Sequence, residues 1–367
     1  MDRLQSHIHL QPERLHAWIL DFLKHTTRWR SEIAFSVEGR PIYTLHAGNE
    51  SERIVIWSQM HGNEATGTYA LTDLLLTLEE DANLLNNLLN RYSLVVVPML
   101  NPDGAARFSR YNAIGSDLNR EGLRALSPEA ALLKSLLGKN AAWAFNLHDQ
   151  RTLFSVGSTS VPATLSLLAP STITQRGEQA RLNAIKLISN TLETFEVNDR
   201  KYIARFSDEY YPQAMGEWCT DRGISTVLVE CGGHYHDPHR TIARQMCFHF
   251  LKNALQHLSD PVATSSIAYF SLPINGQNLR DVLLRNAKLR TPAGTVCADL
   301  SFTAIYYPAE KMWKWQLEEV GDLQLKFGYI EIDLSDADPV EHYQWKPLTL
   351  YTLEDIPKTW HPWFTTT

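Results

Sequence analysis

Cysteine is scarce in this sequence of 367 residues. The four cysteines are Cys219, Cys231, Cys247 and Cys297. They form no Cys-x-x-Cys pair, so we expect neither a disulfide framework nor a structural zinc site built from cysteine. Long apolar runs are also absent, so no segment is expected to cross a membrane. Residues 1–7 lack the apolar core of a signal peptide, which predicts a cytoplasmic location.

An excess of positive charge is absent as well. The formal net charge is −7 at pH 7, which argues against a nucleic-acid partner because such proteins need a basic surface. Hydrophobic residues make up 44% of the chain and charged residues 20%, as in ordinary globular proteins. The length suits one large domain, or one domain with an appendage.

Four continuously apolar segments alternate with amphipathic helical patterns. They cover residues 54–57, 94–100, 141–147 and 226–229. Such segments are typical of strands buried on both faces, so we predict an α/β fold with a mixed, mostly parallel central sheet and helices on both faces. A helix over residues 11–25 and a hairpin over residues 33–45 precede the first apolar segment.

The pattern changes beyond residue 260. Short alternating runs occur at 268–272, 296–300, 323–327 and 329–334. These runs predict β-strands. We therefore expect a first domain over residues 1–260 and a small β-rich domain over residues 261–367.

Polar residues with metal-binding side chains follow the apolar segments. His61 and Glu64 are three residues apart where the first strand gives way to a helix, and His148 ends the third strand. Ligands of open α/β sheets bind at this edge, and imidazole and carboxylate are zinc ligands. We predict that the three residues bind one zinc ion, although His148 alone would be interpreted as a core histidine.

Two further features could supply catalytic groups. Glu230 ends the fourth strand, where burial can raise the pKa of a carboxyl group toward the range of a general base. It could equally reach solvent or pair with an arginine. The loop over residues 107–120 carries several arginines, which suit the capture of a carboxylate or the stabilisation of an oxyanion. Any one of them could instead be an ordinary surface residue.

The order of these motifs resembles the M14 zinc carboxypeptidases, the carboxypeptidase A-like metallopeptidases, over roughly residues 33–258. The motifs are His61-x-x-Glu64, Asn101-Pro102-Asp103-Gly104, Arg110, Asp117-Leu118-Asn119-Arg120, His148 and Glu230. The resemblance implies a mixed eight-stranded sheet between helices. It also implies that residues 1–260 form the catalytic domain.

The resemblance assigns a role to each candidate residue. His61, Glu64 and His148 would bind zinc, and Glu230 would be the general base that later protonates the leaving amine. The remaining roles are carbonyl polarisation and oxyanion stabilisation by Arg110, and binding of the terminal carboxylate of the substrate by Asn119 and Arg120.

Two points arise from comparison with the pancreatic members of that family. Asp149 follows the third ligand, where those members have a small hydroxyl residue. They also have a tyrosine that closes over the substrate, and the candidates here are Tyr202, Tyr210 and Tyr211, of which we predict Tyr210.

Several functions remain compatible with these motifs. The leading one is a zinc metallocarboxypeptidase acting on a peptide with a free carboxylate. An N-acyl amino acid deacylase of the aspartoacylase and succinylglutamate desuccinylase type shares most of the motifs, although the stretch from Asn101 to Gly104 favours the peptidase. Muropeptide trimming and isopeptide cleavage are also compatible. A non-catalytic binding protein is disfavoured because all three ligand candidates and Glu230 are present.

Overall fold

A computed structural model describes residues 2–49, 52–138, 140–151, 153–261, 266–341 and 345–364. The helices are α1 (Pro12–Lys24), α2 (Thr66–Glu80), α3 (Ala82–Leu89), α4 (Pro102–Arg107), α5 (Pro128–Leu137), α6 (Gln175–Leu192), α7 (Val197–Arg200), α8 (Met215–Thr220), α9 (Thr241–Ser259), α10 (Ile267–Ser271) and α11 (His361–Phe364). Short 3-10 helices cover Leu118–Arg120, Leu353–Asp355 and Lys358–Trp360. No helix within the described ranges is long and apolar enough to span a bilayer.

The strands range from two to fourteen residues in length. They are β1 (Trp29–Phe35), β2 (Pro41–Ala47), β3 (Arg53–Trp57), β4 (Ser93–Val97), β5 (Ala141–Asp149), β6 (Ser155–Val156), β7 (Leu165–Leu168), β8 (Ile203–Arg205), β9 (Ser225–Cys231), β10 (Asn275–Gly276), β11 (Leu279–Thr291), β12 (Gly294–Tyr307), β13 (Met312–Gly321), β14 (Phe327–Asp333), β15 (Val340–Glu341) and β16 (Leu350–Tyr351).

The chain divides into two compact units. The first consists of Met1–Arg151, Thr164–Gly232 and His239–Ile274, and the second of Thr152–Ala163, Gly233–Pro238 and Asn275–Thr367. The first unit thus runs on to Ile274, and two short segments within its span of the sequence belong to the second unit. The domain boundary near residue 260 stays a prediction.

The first unit is built on an eight-stranded sheet with the order β1-β2-β4-β3-β5-β9-β7-β8. The central strands β4, β3, β5 and β9 are parallel. The sheet is mixed because β2 pairs with β4, and β7 with β9, in the antiparallel direction. The predicted α/β class with a mixed central sheet is confirmed.

Side chains of the central strands alternate between two apolar clusters. In β3, Ile54 and Ile56 belong to a cluster that also contains residues of α2 and α9. Val55 and Trp57 belong to a second cluster, with residues of α5 and α8. Helices therefore cover both faces of the sheet, and this double burial explains why the strands are continuously apolar in sequence.

The second unit is β-rich, as predicted. Its six-stranded sheet has the order β14-β11-β12-β13-β16, with β15 paired to β11. A separate two-stranded pair joins β6 to β10. Large aromatic side chains fill the core of the unit, among them the buried Phe302, Trp315, Trp345 and Trp360.

Two predicted strands are wrong. Residues 268–272 lie largely in the helix α10, where Tyr269 is fully buried while Ile267 and Phe270 are exposed. The backbone N–H of Tyr269 donates to Ser189 Oγ and its hydroxyl accepts from Ala169 N, so contacts with other segments hold this helical turn in place. The second wrong strand is 323–327. Residues 323–326 form a turn before β14, and a hydrogen bond from the N–H of residue 326 to the carbonyl of residue 323 closes this turn.

A buried ion pair joins two helices of the first unit. Arg244 of α9 donates from Nε and from one terminal nitrogen to Asp73 of α2, with both distances at 2.7 Å. Its other terminal nitrogen donates to Leu4 O and Ser6 Oγ. The pair therefore also holds the N-terminal segment of the chain.

Replacing Asp73 by alanine should lower the free energy of unfolding by about 3–5 kcal/mol, because it leaves the buried guanidinium of Arg244 without its anion. Urea unfolding followed by circular dichroism measures this change. The matched control is Asp21→Ala, which removes an exposed ion pair with Lys24 at 4.0 Å and should change stability by less than about 1 kcal/mol. Equal, small effects of both variants would contradict the expectation.

Candidate metal centre

His61, Glu64 and His148 bring their donor atoms to one point. His61 and Glu64 lie in the turn between β3 and α2, and His148 lies near the C-terminal end of β5. Glu64 Oε1 is 2.8 Å from His61 Nδ1, and Glu64 Oε2 is 2.9 Å from His148 Nδ1. The two Nδ1 atoms are 3.2 Å apart. All three side chains are buried.

The three side chains form a group that can hold a metal ion. Two Nδ1 atoms at 3.2 Å share a hydrogen bond only if one of them carries a proton and the other does not. A divalent cation satisfies both nitrogens and the carboxylate together. Two imidazoles and one carboxylate also leave a fourth position for water in a tetrahedral site, so the donor set suits zinc.

The turn that carries His61 packs closely against the start of α4. A Cβ on Gly62 would lie 2.0 Å from the carbonyl carbon of Gly104, so no other residue fits there without a shift of the backbone. Asn101 holds the turn and the start of α4 together. Its Nδ2 donates to Met60 O at 3.1 Å, and its Oδ1 accepts from Gly104 N at 2.8 Å. The Asn-Pro-Asp-Gly motif thus supports the metal-binding turn.

Asp117 holds the ring of His61 from the side opposite the metal position. Its Oδ1 is 2.9 Å from His61 Nε2. Its Oδ2 accepts two bonds from Arg110, at 3.1 and 3.0 Å, and a third nitrogen contact of Arg110 reaches Glu64 Oε1 at 3.3 Å. A carboxylate bonded to the second nitrogen of a ligand histidine fixes the orientation of the ring.

The charges of this group are mutually stabilised. Burial alone would lower the pKa of His61, but Glu64 and Asp117 raise it to about 9. Burial would raise the pKa of Glu64, yet the neighbouring His61 and His148 hold it well below its usual range. Burial acts in the same way on Asp117, and its bonds with His61 and Arg110 hold its pKa below the ordinary value. Both carboxylates are therefore anionic at neutral pH and favour a bound cation.

Glu230 lies beside the candidate metal ligands. It pairs in register with His148 across the parallel strands β9 and β5, so both side chains project from the same face of the sheet. The side chain is only partly buried. Burial raises the pKa of Glu230 well above its usual value, and the negative charge of Glu64 adds to this effect. A raised pKa suits a group that accepts and returns a proton.

Asp149 joins the end of β5 to the start of α2. Its Oδ2 accepts from the backbone N–H and the hydroxyl of Thr66, at 3.0 and 2.7 Å. Ala65, at the cap position of α2, offers no side-chain bond, so Asp149 performs the capping from another strand. Its own N–H donates to Glu64 Oε2 at 3.1 Å.

The two residues predicted to bind a terminal carboxylate lie in the 3-10 helix that follows Asp117. Asn119 Oδ1 accepts from Met215 N, the first residue of α8, at 3.0 Å. Arg120 is exposed, and its guanidinium carbon lies 5.7 Å from the ring centroid of Tyr211. The position of both residues is thus set by contacts with the α8 region.

Tyr210 is engaged elsewhere in this structure. Its hydroxyl donates to Asp221 Oδ2 at 2.7 Å, and this bond raises the pKa of Tyr210 to about 12. Its neighbour Tyr211 is exposed and is the tyrosine that contacts Arg120. The role of Tyr210 as a residue that closes over the substrate stays a prediction.

The groups that converge here are those predicted from the sequence, whereas the supporting roles of two carboxylates were not predicted. His61, Glu64 and His148 are in contact, Arg110 touches Glu64, and Glu230 is in register with His148. The orientation of His61 by Asp117 was not predicted, although Asp117 stands in a recognised motif. Asp149 stands out in the sequence only as a departure from the pancreatic members, and no sequence signal indicates its contact with α2.

The model of the zinc carboxypeptidase family matches residues 19–141. This range contains His61, Glu64 and Arg110 and ends before His148 and Glu230. Among curated relatives, the chain is similar to the probable carboxypeptidase 2 of Trichophyton verrucosum (strain HKI 0517), with 29% identity over 158 residues. The alignment covers 38% of this chain and 30% of that protein, so the chain spans less than a third of the length of this relative.

Solved structures share the fold. A metallo-carboxypeptidase from Burkholderia cenocepacia matches with a TM-score of 0.54 and 17% identity, over 68% of this chain and 70% of that chain. Bovine thrombin-activatable fibrinolysis inhibitor, solved in complex with tick carboxypeptidase inhibitor, matches with a TM-score of 0.53 and 16% identity. This match covers 70% of this chain and 99% of that chain. The fold is therefore that of the metallocarboxypeptidases. The predicted resemblance to the zinc carboxypeptidase family is borne out over residues 19–141, where the family model matches.

Replacing Asp117 by asparagine should weaken the affinity for a divalent cation about 10- to 100-fold, because His61 loses the carboxylate that orients its ring. Calorimetric titration of the metal-free protein with zinc chloride measures the dissociation constant. The control is Asp336→Asn, which changes an exposed carboxylate of the second unit and should leave the affinity unchanged. Unchanged affinity in the Asp117 variant would show that His61 needs no such support.

Glu217 of α8 predicts a pH effect on stability. It is 5% exposed, and burial raises its pKa to about 7. Because the folded pKa lies above the unfolded one, the folded state binds more protons between about pH 4.5 and 7, and stability falls as the pH rises through this window.

The variant Glu217→Gln should therefore stabilise the protein by about 1–3 kcal/mol at pH 8 and by much less at pH 4. Urea unfolding at the two pH values measures the difference. Glu80→Gln, at an exposed position, is the matched control and should show no such pH dependence. A stabilisation that is the same at both pH values would refute the explanation by a raised pKa.

Proposed function

We propose that the chain is a zinc-dependent metallocarboxypeptidase that removes the C-terminal residue of a peptide. The observation that carries the proposal is the convergence of His61, Glu64 and His148 on one point, with Glu230 in register beside His148. The match to the zinc carboxypeptidase family supports it. The alignment with curated carboxypeptidases, although partial, agrees with it.

Zinc would be held by His61 Nδ1, His148 Nδ1 and the carboxylate of Glu64. A zinc ion in such a site supplies Lewis acidity, which polarises a carbonyl and lowers the pKa of water. One ion is proposed, because the described residues show one such group of ligands.

Glu230 is proposed as the general base. Its carboxylate accepts a proton from the water that attacks the scissile carbonyl, and it then delivers this proton to the amine of the leaving residue. The partly buried position beside Glu64 raises the pKa of Glu230, so that its protonated form is accessible within the catalytic cycle.

Arg110 is proposed to stabilise the oxyanion that develops on the attacked carbonyl. Its guanidinium is fixed by Asp117 and reaches Glu64 Oε1, which places N–H donors next to the candidate metal ligands. Donors that are already oriented stabilise developing charge without a cost of reorganisation. Asn119 and Arg120 are proposed to bind the terminal carboxylate, for which a guanidinium is well suited.

The proposed substrate is a peptide with a free C-terminal carboxylate, and acyl amino acids are the alternative. A deacylase would use the same ligands and base, so the distinction depends on the substrate alone. We also propose that residues 1–260 form the catalytic domain and that the protein acts in the cytoplasm, both of which stay predictions from the sequence.

The variant Glu230→Gln should retain metal and lose hydrolysis by a factor on the order of 10² to 10⁴, since the amide cannot accept the proton of water. The substrates are a pool of peptides with free C-termini, their amidated counterparts, N-acyl amino acids and muropeptide fragments, analysed by mass spectrometry. Wild-type protein and the exposed-site variant Glu80→Gln serve as controls, and bound zinc is measured in each sample.

Stepwise loss of terminal residues from the free-acid peptides alone is the expected result. Cleavage confined to N-acyl amino acids would favour the deacylase, and cleavage confined to muropeptide fragments would favour a muropeptidase. A Glu230→Gln variant as active as the wild type would remove Glu230 from its proposed role.

A further inference from the structure

One arginine near the candidate metal centre has no assigned partner. Arg151 follows β5 by two residues, close in sequence to His148, and is partly buried. Within the described ranges it forms no hydrogen bond and no ion pair. Its contact is with an aromatic ring, because its guanidinium carbon lies 5.1 Å from the ring centroid of Phe108.

Neighbouring arginines are occupied by partners in the protein. Arg110 is bonded to Asp117 and Glu64. Arg240 donates to the main-chain carbonyl groups of residues 150 and 231. Arg151 differs from both, since its N–H groups donate no hydrogen bond to the described part of the chain.

Phe108 offers Arg151 a fixed surface. Phe108 ends α4 with a positive φ of 54°, and its N–H donates to Ala105 O at 3.1 Å. His9 packs on the same ring, at 5.1 Å between centroids, and its Nε2 donates to Ala105 O at 2.7 Å. The guanidinium therefore lies against a ring that is held by two other segments, and a cation over such a ring is stabilised.

The charge of Arg151 persists at neutral pH and lies close to the metal centre. Burial lowers its pKa to about 10, with a contribution from Arg240, while Asp149 and Glu64 oppose this decrease. The Oδ2 atom of Asp149 is occupied by Thr66. The nitrogen atoms of Arg151 are not among the enclosed side-chain atoms that lack a partner, so its N–H groups are accessible to an anion from solvent.

Arg151 and the residues proposed to bind the terminal carboxylate lie against different parts of the chain. Arg120 contacts Tyr211, and Asn119 contacts the start of α8, whereas Arg151 contacts Phe108. If the terminal carboxylate is bound at Asn119 and Arg120, the scissile carbonyl lies at the metal ligands. Arg151 contacts neither Tyr211 nor the start of α8 in the described part of the chain, so it is available to the part of the substrate on the acyl side of the scissile bond.

We propose that Arg151 binds a second carboxylate of the substrate, the acidic side chain of the penultimate residue, and thereby determines specificity. The proposal rests on the proposed carboxypeptidase function and adds a substrate class to it. A guanidinium suits this task because its planar fork of N–H donors matches the two oxygens of a carboxylate.

The test uses the full, zinc-loaded chain and two matched pairs of N-acetylated peptides. One pair has Glu or Gln in the penultimate position before a terminal Phe, and the other has Glu or Gln as the terminal residue after Phe. Wild-type protein should show a kcat/KM about 10- to 100-fold higher for penultimate Glu than for penultimate Gln. The terminal pair should show no such preference.

The variant Arg151→Gln should reduce the penultimate Glu/Gln ratio to about one, by loss on the Glu peptide with little change on the Gln peptide. Arg151→Lys should restore part of the ratio, since it restores the charge without the fork. Arg30→Gln, an exposed arginine of β1, is the control for a general change of charge and should leave the ratio unchanged.

A binding measurement separates this proposal from the proposed function. The same peptides are titrated by calorimetry into Glu230→Gln protein, with and without the Arg151→Gln change. Tighter binding of the penultimate Glu peptide that depends on Arg151, without cleavage by the wild type, would support Arg151 and overturn the peptidase. Cleavage with a Glu/Gln ratio near one, an equal loss on both peptides in Arg151→Gln, or neither cleavage nor selective binding would overturn the role of Arg151.

Discussion

The buried carboxylate of Glu64 is the group on which the candidate site depends. An anion removed from water is unfavourable unless donors surround it, and Glu64 meets this need with contacts to four other residues. Its oxygens lie within hydrogen-bonding distance of His61, His148, Arg110 and the N–H of Asp149. These partners come from a turn, the end of β5 and a loop. The satisfaction of one charge therefore fixes the positions of several segments at once.

The surrounding fold gives this arrangement little freedom. The central strands are buried on both faces, and the turn after β3 is pressed against the start of α4 at Gly62 and Gly104. Asp149 connects the end of β5 to the start of α2 through Thr66. Sites that are held by strands and capped helices keep their geometry better than sites built on loops alone. The side chains at the centre are thus positioned by the same contacts that hold the sheet and its helices together.

The parts of the site that could be predicted from sequence are those fixed by the sheet. Continuous apolar segments indicate parallel strands, and the C-terminal ends of parallel strands meet at one edge, so His148 and Glu230 could be expected near each other. Asp117 and Asp149 could not be assigned their contacts in the same way. Asp117 comes from an irregular loop, and Asp149 bonds to Thr66 across 83 positions of the sequence, which no local pattern encodes.

The wrong strand at residues 268–272 has a related cause. A short apolar run is compatible with either a strand or a helix, and tertiary contacts decide between them. Here the decision depends on Tyr269, whose N–H bonds to Ser189 and whose hydroxyl accepts from Ala169 N. The candidate metal ligands escaped this ambiguity because they follow apolar strands that lie in the centre of the sheet.

The interleaving of the two units along the chain has a consequence for synthesis. The strand β6 of the second unit is made early, but its partner β10 follows only about 120 residues later, with Val156 pairing to Asn275. At about 5–20 residues per second, a ribosome needs several seconds or more to supply that partner. During this interval the nascent chain carries a strand edge that is open to other chains. The nascent chain is therefore exposed to misassembly at β6 while the remaining segments of the first unit, Thr164–Gly232 and His239–Ile274, are still being made.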